Sequence, residues 1–239
     1  MKGSKAKAIV IGASGGIGYA TAAALRETQQ FQVISVSRSD NHDASDSHFS
    51  CDYRESSIRD VAGQISALDG PIARLIVCNG VLHGDNFQPE RALKRLDAAA
   101  MAHVFQANTI TPTLWLSAFM DALKQAPEPR IAVFSARVGS IGDNQLGGWY
   151  SYRASKAALN MVLKCSAIEL ARLNPRAKLV AFHPGTTDTS MSKPFQKGVV
   201  AEKLFPPDFV ASRLLNTLDS TVPDGELAFL DWDGKPIAW

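Results

Sequence analysis

Cysteine and histidine are scarce in this sequence of 239 residues, with three and five copies. Cys51, Cys78 and Cys165 lie far apart and form no CxxC pair, and their odd number argues against a disulfide framework. The histidines are scattered, without the close spacing of zinc ligands. We therefore expect reduced cysteines and no metal site.

A charge excess and a long apolar run are also missing. The 25 Lys and Arg nearly balance the 23 Asp and Glu, so there is no basic footprint for nucleic acid or an anionic membrane. No stretch approaches the roughly 18 apolar residues of a membrane span, and the first apolar run ends at Gly12, too early for a signal peptide. We expect a cytoplasmic protein with a small-molecule partner and neither a nucleic-acid nor a membrane partner.

Short apolar runs alternate with longer segments of helical periodicity. Consecutive apolar residues indicate strands buried on both faces of a parallel sheet. The predicted strands are 8–11, 33–36, 75–78, 131–134, 179–182 and 227–230, and the predicted helices are 17–27, 58–68, 96–124, 154–173 and 209–218. With no repeat and no linker, this alternation predicts one α/β domain over residues 1–239, a Rossmann-type doubly wound parallel sheet of about seven strands with helices on both faces.

A glycine-rich loop follows the first predicted strand and leads directly into a helix. Its glycines permit a tight turn and a close backbone approach to a pyrophosphate, whose charge the free N–H groups at the helix start can meet. The loop therefore predicts a dinucleotide site built from Gly12, Ser14, Gly15, Gly16, Ile17 and Gly18. A loop that merely turns the chain and an S-adenosylmethionine-binding fold are the alternatives.

Arg38 stands at the end of the second predicted strand, where folds that prefer NAD usually offer an acidic residue to the adenosine ribose. Its guanidinium can grip a 2′-phosphate and stack on an adenine. NADP(H) is therefore favoured over NAD(H), although Asp40 is nearby and the glycine loop carries no basic residue. The alternative is that Arg38 is an ordinary solvated charge.

Tyr152 and Lys156 are spaced i, i+4 at the start of a predicted helix, which places the phenol and the ammonium on one face. A phenol with an ordinary pKa near ~10 is a poor acid-base catalyst at neutral pH, whereas an adjacent cation stabilises its phenolate. We expect Lys156 to lower the pKa of Tyr152. Tyr150 lies six residues before Lys156 and cannot share its helical face.

The GxxxGxG spacing of residues 12–18, combined with the YxxxK pattern of residues 152–156, resembles the short-chain dehydrogenase/reductase family. Segments 136–144, 147–160 and 225–239 resemble its C-factor and sniffer-like carbonyl reductases, so the resemblance spans nearly the whole chain. It implies hydride transfer between a nicotinamide and a carbonyl or alcohol substrate. Tyr152 would pass the proton, Lys156 would also bind the nicotinamide ribose, and both are counted among the cofactor-binding residues. The resemblance further implies a homodimer or homotetramer.

The same resemblance assigns roles to residues outside these two motifs. Asn108 would interrupt a long helix and hold a water of the proton relay; its alternative is a helix-surface residue. Asp52 would meet the adenine edge, or else cap the helix beginning near Glu55. The remaining residues assigned to the cofactor are Asn79, Gly80, Pro184, Gly185 and Thr187, with Thr186 as an alternative to Thr187.

One catalytic position departs from the family pattern. Ala136 occupies the place of the serine that hydrogen-bonds the substrate oxygen, and losing such a donor can cost on the order of 10²–10³ in rate. Strand alternation should turn Ser135 away, which leaves Ser140 as a candidate substitute. Two hypotheses follow: an NADP(H)-dependent oxidoreductase, or an NAD(P)(H)-binding sensor or signalling protein with weak or no turnover.

Two irregular segments, 137–150 and 186–203, follow predicted strands at the carboxyl edge of the sheet, where ligands bind in open α/β folds. They contain Leu146, Trp149, Met191 and Phe195. These side chains predict a partly apolar substrate pocket, with simple loop packing as the alternative.

Overall fold

The predicted alternation of strands and helices is present in the computed structural model, which describes residues 4–39 and 44–239. The strands are β1 (Lys7–Ile11), β2 (Gln32–Ser37), β3 (Ser47–Ser50), β4 (Ile72–Val77), β5 (Arg130–Phe134), β6 (Lys178–His183), β7 (Thr186–Thr187), β8 (Leu204–Phe205) and β9 (Ala228–Asp231). The α-helices are α1 (Gly16–Glu27), α2 (Glu55–Ala67), α3 (Ala98–Phe105), α4 (Thr111–Gln125), α5 (Tyr150–Leu173) and α6 (Pro207–Ser220). Single 3₁₀ turns occupy Leu93–Arg95, Arg137–Gly139, Lys193–Phe195 and Ala201–Lys203.

The main sheet has seven parallel strands in the order β3-β2-β1-β4-β5-β6-β9. The chain leaves β1 first towards β2 and later returns to its other side with β4, so Ile9 pairs with Ile34 on one side and with Leu75 on the other. This change of direction opens a crevice at the carboxyl ends of β1 and β4, where open α/β sheets bind ligands. The predicted doubly wound parallel sheet is confirmed.

Strand β3 was not among the predicted apolar runs. It lies at the edge of the sheet beside β2, and its residues Ser47 to Ser50 are only partly buried or exposed. An edge strand needs no continuous apolar run, because only part of its surface is covered. A small second sheet pairs β7 with β8 inside the segment predicted to be irregular.

Helices cover both faces of the main sheet. One apolar core joins the sheet to α2, α4 and α5 and includes the fully buried Trp115 and Phe119. The other core joins the opposite face to α1 and α6 through residues such as Leu25 and Leu214. No helix within residues 4–39 and 44–239 is both long and apolar enough to cross a membrane.

The helix predicted over residues 96–124 is in fact interrupted. Helix α3 begins after Asp97, whose carboxylate accepts a hydrogen bond from the backbone N–H of Ala100 at 2.8 Å. A π-turn over Gln106–Ile110 then separates α3 from α4. Pro112 has no N–H to give the carbonyl of Asn108 four residues earlier, so the regular ladder cannot continue here. The interruption at Asn108 agrees with the family resemblance.

Candidate active site

The glycine loop turns tightly between β1 and α1. Gly12 has a φ of +82°, and a Cβ there would lie 3.0 Å from the backbone nitrogen of Asn79. A Cβ at Gly18 would overlap the carbonyl oxygen of Gly12. Helix α1 begins after Gly15 without a side-chain cap, which leaves backbone N–H groups at its N-terminus for an anion. The packing of this loop therefore requires glycine at positions 12 and 18.

A cleft of about 710 Å³ lies above the carboxyl ends of β1 and β4. It is lined by residues from the glycine loop, the ends of β2 and β4, the π-turn and the segment after β7. The predicted cofactor residues that line it are Gly12, Ser14, Gly15, Gly16, Ile17, Gly18, Arg38, Asp52, Asn79 and Gly80. A separate groove of about 800 Å³ lies between α1 and α6, away from Tyr152 and Lys156.

Arg38 and Asp52 stand at one end of the cleft together with two residues that sequence reasoning missed, Tyr53 and Arg54. The Arg38 guanidinium lies 6.0 Å from the Tyr53 ring centroid, within reach of a cation–π contact. Asp52 accepts a hydrogen bond from the backbone N–H of Arg54 at 2.9 Å, which lowers the pKa of its carboxyl. Since Arg54 is the N-cap of α2, Asp52 does not take that position. Asp40 lies outside the described residues.

Tyr53 also has an unusual backbone for a non-glycine residue, with a φ of +65°. Its ring meets Trp115 of α4 edge-on, with centroids 6.1 Å apart, and burial raises the pKa of its hydroxyl. Because this contact joins residues far apart in sequence, the sequence pattern gave no signal for it. Tyr53 fixes one surface of the cleft beneath Arg38.

The segment after β7 forms the opposite wall through Thr189, Ser190 and Met191. The methyl group of Thr189 lies 3.0 Å from the position of a Cβ at Gly16, so this wall approaches the glycine loop closely. The structure thus places Thr189 on the cleft wall. Thr187 is buried in β7, and its hydroxyl has no hydrogen-bond partner among residues 4–39 and 44–239.

The predicted turn at Pro184 and Gly185 follows β6. Gly185 has a φ of +73°, and a Cβ there would lie 2.7 Å from the ring of Phe205. The turn therefore packs against β8, and neither residue lines the cleft.

Two of the three catalytic candidates, Asn108 and Lys156, lie beside Gly80, at the end of the cleft away from Arg38. Lys156 is 3% exposed, and its Nζ donates a hydrogen bond to the carbonyl oxygen of Phe134 at 2.7 Å. A Cβ at Gly80 would lie 3.6 Å from this Nζ and 3.1 Å from Oδ1 of Asn108. Gly80 therefore links the cleft to Asn108 and Lys156.

Asn108 is fully buried in the π-turn, and both ends of its amide are engaged. Its Oδ1 accepts from the backbone N–H of Val81 at 2.7 Å, while its Nδ2 donates to the carbonyl of Val81 at 2.8 Å and to Oγ of Ser155 at 3.2 Å. The side chain thus ties the loop after β4 to helix α5. A helix-surface role for Asn108 is excluded by this burial.

Tyr152 is half-buried, and the expected lowering of its pKa by Lys156 is not found. Burial raises the pKa of Tyr152 to about 12 and lowers that of Lys156 to about 7. Removing a phenol and an amine from water disfavours the charged form of each, and here this effect exceeds the attraction expected between them. The expectation of a lowered phenol pKa was therefore wrong for this structure.

Ala136 is buried just after β5, and the two serines nearest to it in the sequence differ in how their hydroxyls are used. Ser135 donates to Oδ1 of Asn160 on α5 at 2.6 Å, so its hydroxyl hydrogen is already used. Oγ of Ser140 accepts from the backbone N–H of Asp143 at 3.0 Å. That bond leaves the Ser140 hydroxyl hydrogen free to be donated, so Ser140 stays a candidate substitute.

A chain of aromatic rings begins at Tyr152. The Trp149 ring lies 6.2 Å from the Tyr152 ring and 5.3 Å from the Phe195 ring, and Phe195 in turn meets His83 at 5.6 Å. Leu146 differs from the expectation, because its side chain is 90% exposed. Within the two described ranges, no three His, Cys, Asp or Glu side chains gather as they would around a metal ion.

Comparisons with known proteins agree with this fold. The model of the short chain dehydrogenase family matches residues 6–199, so the chain belongs to this family of oxidoreductases. The C-signal protein of Myxococcus xanthus is 34% identical over 149 residues, which are 62% of this chain and 84% of that protein. The resemblance to the C-factor-like branch is thereby confirmed.

Two further comparisons extend over nearly the whole chain. A benzil reductase from Bacillus cereus, described as (S)-benzoin forming, is 25% identical over 248 residues, covering 93% of this chain and 98% of that enzyme. The crystal structure of an NADPH-bound carbonyl reductase from chicken fatty liver has a TM-score of 0.82 and 24% identity, and the match covers 99% of this chain and 100% of that one. The latter shows the same fold.

We predict that Gly18→Ala weakens the binding of a nicotinamide dinucleotide by at least roughly 10-fold. The added Cβ overlaps the Gly12 carbonyl and must displace the loop, and small displacements at such sites are costly. Gly63→Ala is the matched control, because a Cβ at Gly63 in α2 meets nothing within 4 Å. Binding is measured by the fluorescence of the reduced nicotinamide, and unchanged affinity in Gly18→Ala would contradict the assignment of the loop.

Proposed function

We propose that this protein is an NADP(H)-dependent oxidoreductase that transfers hydride between the nicotinamide and a small carbonyl or alcohol substrate. The observation that carries the proposal is the convergence at Gly80. The cleft that begins at the glycine loop ends at Gly80, which Asn108 and Lys156 approach. Lys156 lies on α5, the helix that also carries Tyr152. The family resemblance further leads us to expect a cytoplasmic homodimer or homotetramer.

The residues along the cleft suit a phosphorylated dinucleotide. Backbone N–H groups at the start of α1 would hold the pyrophosphate, and Arg38 with Arg54 would face the 2′-phosphate. Oδ1 of Asn79 is buried in the cleft lining and has no hydrogen-bond partner in the part of the chain that the structure describes, which leaves an acceptor for the dinucleotide. The chicken carbonyl reductase with the same fold was solved with NADPH bound.

When bound, the nicotinamide supplies or accepts the hydride. The Tyr152 hydroxyl then carries the proton that passes to the substrate oxygen. This hydroxyl forms no hydrogen bond with any residue in the described ranges. A phenol whose pKa is about 12 stays protonated at neutral pH, which suits proton donation during carbonyl reduction. Lys156 would hold the nicotinamide ribose, and Asn108 would hold the water of the proton relay.

The surroundings of Tyr152 favour a carbonyl compound with an apolar group. Trp149 places its ring beside the Tyr152 ring, and Phe195 packs against Trp149. Met191 adds a flexible apolar side chain to the cleft wall. Rings of this kind bind flat apolar groups well. Benzil, the compound named for the Bacillus cereus relative, is a suitable first test substrate.

We expect Tyr152→Phe to lower kcat for benzil reduction by at least roughly 100-fold, because the proton donor is lost. The affinity for NADPH should stay within about 2-fold, since the phenol hydroxyl is remote from the Arg38 end of the cleft. Steady-state turnover and NADPH fluorescence provide the two measurements. Tyr150→Phe is the matched control and should keep wild-type turnover; substantial turnover by Tyr152→Phe would refute the mechanism.

The preference for NADP(H) is tested by Arg38→Leu. Removing a charge-assisted contact to the 2′-phosphate, worth about 1.5–3 kcal/mol, should raise the Kd for NADPH by roughly 10- to 100-fold and leave the Kd for NADH nearly unchanged. Arg59→Leu, on the exposed side of α2, serves as the control. Equal losses for both dinucleotides in Arg38→Leu would argue against recognition of the 2′-phosphate.

A second candidate function is that of an NAD(P)(H)-binding sensor or signalling protein with weak or no turnover. Ala136 supports it, because the neighbouring Ser135 is committed to Asn160 and cannot replace the missing hydroxyl without breaking that bond. The similarity to the C-signal protein is a second support. Against it stand Tyr152, Lys156 and Asn108, which a purely binding role does not require.

Ala136→Ser distinguishes the two candidates. If the site is an intact enzyme that lacks one donor, the added hydroxyl should raise benzil reduction by roughly 10-fold or more, in line with the cost of losing such a donor. If the wild type reduces benzil well and Ala136→Ser brings no gain, Ser140 would be the candidate replacement donor. Ser140→Ala would then test it. Tight NADPH binding with no reduction of benzil or other carbonyls in either form would instead favour the sensor.

A further inference from the structure

The helix that carries Tyr152 and Lys156 has no cap of its own. Helix α5 begins at Tyr150, and its N-cap residue, Trp149, has no oxygen in its side chain to accept a hydrogen bond. The first turn also contains no acidic residue. The local sequence therefore leaves the first N–H groups of α5 without partners, although this end of the helix carries the proposed proton donor.

Glu90 supplies these partners from the loop between β4 and α3. Its carbonyl oxygen accepts from the N–H of Trp149 at 2.6 Å, and its Oε2 accepts from the N–H of Ser151 at 3.1 Å. Its Oε1 accepts from the hydroxyl of Ser151. One residue, 61 positions away from Ser151, thus holds the residues on both sides of the helix start.

The Glu90 carboxylate is itself buried, at 7% exposure, and forms no ion pair with any residue in the described ranges. Its charge is met by the Ser151 donors and by the N-terminal end of α5, where the helix dipole favours an anion. A carboxylate buried in this way is costly unless its acceptors are used. The burial of Glu90 therefore depends on its contacts with the start of α5.

The chain leading into α5 needs such an anchor. Gly147, Gly148 and Trp149 all have positive φ values, of 61°, 66° and 51°. For Trp149 this conformation is uncommon and persists only where the surroundings impose it. The bond to Glu90 and the ring contacts of Trp149 with Tyr152 and Phe195 are those surroundings.

We propose that Glu90 is a positioning residue for the reaction: it fixes the first turn of α5, and thereby sets where the Tyr152 hydroxyl meets the substrate oxygen. The inference rests on the proposed function, because it assigns Glu90 an effect through Tyr152. Glu90 touches neither the cleft nor the glycine loop, so the effect should appear in turnover and not in dinucleotide binding.

The test begins with Glu90→Ala, assayed for benzil reduction and NADPH affinity. We expect kcat to fall by roughly 10- to 100-fold, as for a small misplacement of a reacting group, with the Kd for NADPH within about 2-fold of wild type. Glu90→Gln should recover most of the turnover, because its amide oxygen can accept from the Ser151 N–H while its NH₂ donates to the Ser151 hydroxyl. Asp97→Ala removes the N-cap carboxylate of α3 instead and should leave kcat nearly unchanged.

A double-mutant cycle separates positioning from general destabilisation. If Glu90 acts through Tyr152, Glu90→Ala added to Tyr152→Phe should cause no further loss of the residual rate, whereas a structural role predicts multiplying losses. If Glu90→Ala does not fold, Ser151→Ala takes its place in the cycle with a smaller expected loss. Losses of rate that multiply in the double mutant would overturn the inference. A Kd for NADPH that rises as kcat falls would overturn it as well.

The cycle also distinguishes this inference from the function on which it rests. Substantial turnover by Tyr152→Phe would refute the catalytic role of the phenol. Wild-type kcat in Glu90→Ala, alongside an inactive Tyr152→Phe, would overturn only the role of Glu90.

Discussion

The hydrogen bond from Lys156 Nζ to the carbonyl oxygen of Phe134 joins helix α5 to the carboxyl end of β5, and the rest of the site is arranged around this junction. Gly139 can approach it only because it lacks a side chain, since a Cβ there would lie 2.8 Å from Cβ of Lys156. Thr109 in the π-turn donates to the carbonyl of Ser155 at 2.8 Å, one residue before Lys156. Sheet, helix and π-turn therefore meet at a single buried point.

This arrangement explains why much of the site could be predicted from local patterns. The glycine spacing after β1 and the Tyr152 to Lys156 spacing on α5 are properties of short segments, and parallel strands bring their carboxyl ends to one edge. The interruption at Asn108 can also be related to sequence, because Pro112 removes the donor that a regular helix would need. Each of these features depends on neighbours within a few residues.

The features that could not be predicted depend on contacts between distant segments. Tyr53 lies against Trp115, Thr189 approaches Gly16, and Glu90 reaches the start of α5, and none of these pairs shares a periodic pattern. The pKa of Tyr152 was predicted in the wrong direction for a related reason. Helical spacing indicates which groups are close, but the loss of hydration depends on everything packed around them.

The burial of Lys156 also affects the thermodynamics of ligand binding. Its amine is buried, with a pKa of about 7, so near neutral pH it is divided between the neutral and the charged form. A ligand that offers acceptors to this group favours the ammonium form and raises its pKa, so it is bound together with a proton taken from solution. The heat of such binding then includes the ionisation heat of the buffer, and ligand affinity and pH become a single coupled equilibrium.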